Sequence, residues 1–223
     1  MTKLLRSLLA LAVASVTSIA SAQAPASAPA AGGAKTIESK VAMCIGCHAI
    51  PGYQSSFPEV HRVPMISGQN AKYIVAALNA YKNGERKHPT MRGIAAGLSE
   101  QDMAEIGAYY EKQAKPAVAE KPSKEPNAQV AALLQKAACA SCHGANFSKP
   151  IDPSYPKIAG QHSDYLFVAL KSYKGEPNNV VGRTNGVMAG IAKQFTNAEL
   201  KALSSYIGSL EGEMQVQPQS RFR

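Results

Sequence analysis

The sequence predicts an all-α protein built from two tandem copies of one small helical bundle. Three observations carry that expectation. Cys44-Ile45-Gly46-Cys47-His48 returns 95 residues later as Cys139-Ala140-Ser141-Cys142-His143. The sequence around the two copies repeats as well, the sign of duplicated structural units. Apolar residues recur at helical spacing, and no run shows the alternation of a strand.

The elements follow in chain order. Residues 36–44 form a weakly amphipathic stretch leading into the first motif, and Val130, Leu133, Leu134, Ala137 and Ala138 lead more strongly into the second. A second helix is predicted at about 70–82 and its copy at 163–174, with Gly84 and Gly175 as C-terminal stops. A third opens on a capping-box pattern, Ser99-x-x-Asp102 and Thr196-x-x-Glu199. Its apolar side is Met103, Ile106, Tyr109 and Tyr110 in the first unit, and Leu200, Leu203, Tyr206, Ile207 and Leu210 in the second. Each unit therefore reads as helix into motif, loop, helix, loop, helix.

Pro64-Met65-Ile66-Ser67-Gly68-Gln69 answers Pro156-Lys157-Ile158-Ala159-Gly160-Gln161. Tyr73, Leu78 and Tyr81 answer Tyr165, Leu170 and Tyr173, and Met91-Arg92-Gly93-Ile94-Ala95 answers Met188-Ala189-Gly190-Ile191-Ala192. These correspondences set the expected organisation. Residues 1–22 read as a signal peptide, 23–34 as a disordered leader, 35–112 as the first domain and 113–126 as a linker. Residues 127–212 read as the second domain and 213–223 as a loose tail.

The N-terminal reading rests on Lys3 and Arg6, the mostly apolar run Leu8 to Ala20, and an Ala20-Ser21-Ala22 cleavage pattern. An uncleaved anchor is the alternative, but a span needs about 20 apolar residues. No Cys follows the run, which disfavours a lipoprotein. Removing the segment lowers the formal charge from +9 to +7. Lys and Arg are scattered rather than striped, which argues against nucleic acid and suits an acidic protein or an anionic membrane face.

Cys-x-x-Cys-His is the attachment signature of a c-type haem: two thiols add to the haem vinyls and the adjacent His ligates iron. Cys44, Cys47, Cys139 and Cys142 are then the attachment residues of two covalent haems, with His48 and His143 as iron ligands. Three other readings compete. A thiol–disulfide oxidoreductase needs a βαβ surround that is missing. A zinc site must pool two distant segments. A disulfide closing so short a loop adds little stability. Attachment in bacteria takes place outside the cytoplasmic membrane, which agrees with export to the periplasm. At roughly 80–85 residues each unit is small for a core of its own, and a large apolar ring fills that shortage.

Met91 and Met188 stand at matching points of the repeat, in loops before the last helix, and are the expected second iron ligands. A soft, neutral thioether favours ferrous iron and raises the reduction potential. His88 and His61 are competitors but have no partners in the second unit, so they read as surface or supporting residues. His162 reads as a polar helix start, Met43 as packing at a haem edge, and Met103 as core; Met65 aligns with Lys157 and is no ligand candidate. Arg86 and Arg183 each precede the Met by five residues and are either propionate partners or solvated side chains. Tyr81 and Tyr173 either pack on haem or donate to a propionate, and core packing alone explains them equally well.

Taken together these segments resemble the dihaem cytochrome c4 family. The paired motifs with Met91 and Met188 carry the resemblance. So do the Pro-x-Ile-x-Gly-Gln segment at 156–161 with its counterpart at 64–69, and Tyr81-Lys-x-Gly-Glu-Arg86 with Tyr173-Lys174-Gly175-Glu176. It covers about residues 36–212. The resemblance implies two class I cytochrome c domains related by a pseudo-twofold axis, with haem propionates near their interface. It also implies a periplasmic, often membrane-associated carrier moving electrons from a quinol-oxidising complex to a terminal oxidase, with no small-molecule substrate and no catalysis of its own. The rival is a haem subunit of a dehydrogenase, or a dihaem enzyme with one open iron. It finds no fifth Cys and meets a Met in both units.

Overall fold

The computed structural model describes residues 36–175, 178 and 180–219. The expected signal peptide and leader lie outside the described residues. In the first bundle, α1 (Ile37–His48) is followed by the hairpin β1 (Gln54–Ser55) and β2 (His61–Arg62). Next come α2 (Ala71–Asn83), β3 (Arg86–Lys87), α3 (Pro89–Ala96) and α4 (Glu100–Glu111). The second bundle holds α5 (Ala128–Ala137), α6 (Ala140–His143), α7 (Ser163–Lys174), β4 (Gly182–Arg183), α8 (Gly186–Ala192) and α9 (Asn197–Gly208).

The helix ends follow their local chemistry. Thr36, Asn127, Ser99 and Thr196 each accept from a backbone N–H in the first turn of the helix they open. At the last two, Asp102 and Glu199 reach back to complete the reciprocal box. Gly84 ends α2 at φ 84°, a left-handed turn that glycine takes without strain. Gly175 ends α7 in an extended conformation instead.

In the first bundle α1, α2, α3 and α4 enclose Val41, Ile45, Ile74, Leu78, Ala95, Met103, Ile106 and Tyr110. In the second, Leu133, Ala137, Phe195, Leu200 and Leu203 form the main cluster, with Phe147, Ala159 and Leu210 in a smaller one. Burying each large apolar side chain contributes about 1.5–3 kcal/mol.

Three expectations need correction. Strand pairing exists after all: β3 pairs antiparallel with β4, Arg86 opposite Arg183, and so joins the two bundles. Two-residue strands are too short to show alternation in sequence. The segments carrying Met91 and Met188 are short helices rather than loops. The start of the expected loose tail is packed: Met214 is only 2 % exposed, Glu213 is buried, and the Gln215 N–H donates to Ser67 O at 3.0 Å. The linker is held as well, through Asn146 to Ala119 O and Tyr206 to Lys124 O.

Candidate metal centres

The first Cys-x-x-Cys-His lies in the last turns of α1, so His48 ends that helix. In the second bundle the chain breaks at Ala138, φ 48°, and the motif occupies α6 and its cap, ending on His143. The helical turn brings Cys and His of each motif to one end of a helix. All four thiols are free and half-buried. Burial raises the pKa of Cys44 and Cys139. That is the reverse of the depressed thiol a disulfide oxidoreductase uses. Among the described residues no three His, Cys, Asp or Glu side chains converge on one point, so the pooled zinc site has no donor set.

The two imidazoles are held alike. His48 Nδ1 donates to Pro64 O at 2.7 Å, and His143 Nδ1 donates to Pro156 O at 2.9 Å. A carbonyl can only accept, so Nδ1 carries the hydrogen and Nε2 keeps its lone pair. Burial lowers the pKa of both rings, which favours the neutral form an iron ligand requires.

Met91 and Met188 are each the third residue of a short helix, with the N-cap side chain three positions earlier. His88 Nδ1 accepts from Met91 N at 3.4 Å, and Asn185 Oδ1 accepts from Met188 N at 3.0 Å. Met91 and Cys44 pack on the same apolar cluster of the first bundle, and Cys139 on that of the second. His88 is therefore a cap beside Met91. His61 is not a surface residue: it is 5 % exposed, and its Nδ1 donates to Glu59 O at 2.7 Å. Met103 is core, Met65 is buried, and Met43 is 66 % exposed.

Arg86 and Arg183 meet across the β3–β4 seam among four tyrosines. Arg86 donates to Tyr73 Oη at 3.2 Å and Tyr165 Oη at 2.8 Å, and Arg183 to Tyr165 Oη at 3.3 Å. Their guanidiniums lie over Tyr81 at 4.9 Å and Tyr173 at 5.2 Å. Burial pushes Tyr73 up to about 12. Burial would raise Tyr165 too, but the two cations on its hydroxyl outweigh it and hold it below the usual range. Among the described residues no carboxylate forms an ion pair with either Arg, and the buried Arg86 Nε has no partner. Sequence spacing marked both Arg residues; their meeting across the two bundles was invisible there.

The residues present fit haem c. Each bundle offers two free thiols, a neutral imidazole with Nε2 uncommitted and a matched thioether. The buried guanidine Nε is a donor suited to a carboxylate. Two such centres on small helical bundles define a c-type cytochrome. The Cytochrome c family profile matches residues 127–211. A cytochrome c4 of Pseudomonas aeruginosa is 32% identical over 192 residues, 82% of this chain and 91% of that protein. The thiosulfate dehydrogenase electron acceptor of Stutzerimonas stutzeri is 27% identical over 192 residues, covering 80% and 82%. The structure of Acidithiobacillus ferrooxidans cytochrome c4 superposes with a TM-score of 0.57 at 27% identity, covering 76% of this chain and 99% of that one. The chain belongs to the dihaem cytochrome c4 family: it is an electron carrier with two covalent haems c, in two class I cytochrome c domains.

Proposed function

We propose that the protein is a periplasmic one-electron carrier, without catalysis of its own, that takes electrons from a quinol-oxidising complex and passes them to a terminal oxidase or another redox protein. The assigned domains are residues 35–112 and 127–212, joined by 113–126. When bound, haem c supplies an iron that alternates between ferric and ferrous. Cys44 and Cys47, and Cys139 and Cys142, anchor the two rings through thioethers. His48 with Met91, and His143 with Met188, are the ligand pairs. Held by a His and a Met together, the iron would leave no place for a substrate, and such a pair would set a high potential. Arg86 and Arg183 offer charge to propionate carboxylates.

The observation that carries this reading is the duplicated imidazole. Two neutral rings, His143 buried and His48 half-buried, are each fixed by a backbone carbonyl and have Nε2 free, each in a bundle with one thioether at the start of a short helix. The N-terminal sequence supports export. No helix among the described residues is long and apolar enough to cross a membrane. Similarity to a thiosulfate dehydrogenase electron acceptor favours a second reading, service to a periplasmic dehydrogenase.

The test is the optical spectrum of the ferric protein. Wild type shows the weak far-red band of sulfur-ligated haem, and Met91→Ala and Met188→Ala each lose about half of it. Loss in only one variant, or ready cyanide binding by one haem of wild type, instead favours an enzyme with an open iron site.

A further inference from the structure

The repeated segments ending in Gln69 and Gln161 take no part in the ligand sets, yet both glutamines are 4 % exposed and each crosses to the other bundle. Gln161 Oε1 accepts from Met65 N at 3.0 Å, and Gln161 Nε2 donates to Met65 O at 2.9 Å. Gln69 Oε1 accepts from Lys157 N at 2.9 Å, and Gln69 Nε2 donates to Lys157 O at 2.9 Å. Each side-chain amide thus pairs with foreign backbone as a neighbouring strand would.

The peptide groups they engage are those that hold the histidines. The Pro64–Met65 peptide accepts His48 Nδ1–H at its oxygen and donates its N–H to Gln161. The Pro156–Lys157 peptide accepts His143 Nδ1–H and donates its N–H to Gln69. Two continuous chains result: His48, peptide 64–65, Gln161, and His143, peptide 156–157, Gln69. Hydrogen bonds in series polarise one another, so drawing on the N–H makes the carbonyl oxygen a stronger acceptor. A stronger acceptor on Nδ1–H makes the imidazole a more basic ligand.

We propose that Gln69 and Gln161 are positioning residues that act across the domain seam, each setting the orientation and basicity of the axial histidine in the other domain. The proposal rests on the assignment of His48 and His143 as iron ligands. Met214 keeps the pair in register: its sulfur lies 3.3 Å from Gln69 Nε2 and 3.7 Å from Gln161 Nε2. Lys157–Glu213 at 2.6 Å and Gln215 N to Ser67 O at 3.0 Å tie that segment to both bundles. A more basic imidazole favours ferric iron, so each glutamine lowers the potential of the opposite haem.

The experiment is a spectroelectrochemical titration of the full-length holoprotein, with the two haems resolved by their NMR hyperfine shifts. Gln161→Leu is expected to raise the potential of the first-domain haem and Gln69→Leu that of the second. Each shift is equivalent to roughly a three- to tenfold change in oxidised-to-reduced ratio at fixed applied potential. The far-red band persists in both. A shift confined to the variant's own domain, an equal shift of both haems, or no shift overturns the proposal. Should a variant not fold, amide exchange of wild type decides. The Met65 and Lys157 N–H groups are expected to be as protected as those of α4 and α9, and fast exchange overturns the proposal. Failure of the carrier reading has a different signature, a wild-type protein without the far-red band.

Discussion

Gly68 illustrates how much a single residue carries. It sits at φ +88°, and a Cβ there would lie 2.5 Å from Glu213 O and 2.8 Å from Ala114 Cα, both backbone atoms that cannot turn aside. Gly68→Ala therefore combines left-handed strain of about 1–2 kcal/mol with an overpacking cost of about 1–3 kcal/mol. Thermal unfolding of the holoprotein is expected to show a loss of about 2–5 kcal/mol, whereas the exposed Gly93, with open space around it, tolerates Ala. Arg86 poses an electrostatic question at the same scale. Replacing it by Gln removes a buried charge that no carboxylate among the described residues neutralises. If that charge serves haem propionates, its loss eases oxidation. A unit charge within about 10–15 Å is worth on the order of 1–2 kcal/mol at an effective dielectric of about 20. The expected result in Arg86→Gln is a lower potential for at least one haem, read by redox titration; unchanged potentials remove Arg86 from the site.

Between elements, the attachment of α1 to α4 is polar as well as apolar. Lys40 on α1 reaches Asp102 at 2.8 Å and Glu105 at 2.6 Å on α4. The Lys40 ammonium, first among the causes, holds both carboxyls below their ordinary range, and Ser99 adds to the effect on Asp102. The sign follows directly. Carboxyls depressed in the folded state contribute stability above their unfolded pKa values of about 4 and lose it as pH falls through the folded ones. Lys40→Met is therefore expected to lower the melting temperature at pH 7, with the gap closing toward pH 2. An undiminished gap at low pH assigns the effect to packing of the lysine stem instead. The capping boxes at Ser99 and Thr196 and the apolar faces behind Met103 and Leu200 were legible because their causes lie within four residues of one another. The helices under Met91 and Met188 were not, being eight and seven residues long. Their signal was present in His88-Pro89 and Asn185, cap residues three positions before each Met. The residues proposed as ligands could be picked out from spacing and repetition. The Arg–Tyr cluster, the Gln69 and Gln161 crossings and the buried Met214 could not, since each depends on chain segments tens of residues apart.

At the scale of the whole molecule the question is what holds the two bundles together. Among the described residues two ion pairs cross the seam, Arg62–Asp164 at 3.0 Å and Lys171–Glu59 at 2.8 Å, each with both side chains about a third exposed. Pairs this wet are worth roughly 0.2–1 kcal/mol and are screened by salt. The two glutamines, both buried, make four hydrogen bonds across the seam to the backbone of Met65 and Lys157. Leaving one buried backbone donor or acceptor unsatisfied costs about 1–3 kcal/mol. The amides therefore outweigh the ion pairs. In 1 M NaCl, where the screening length falls to about 3 Å, the ion pairs weaken but the amide crossings do not. Amide protection at Met65 and Lys157 is accordingly expected to be unchanged between low salt and 1 M NaCl, and to survive Glu59→Gln with Asp164→Asn. Gln69→Leu with Gln161→Leu removes it. If high salt alone frees those two N–H groups, the seam is electrostatic, and the separation between the haems becomes a property of the medium rather than of the fold.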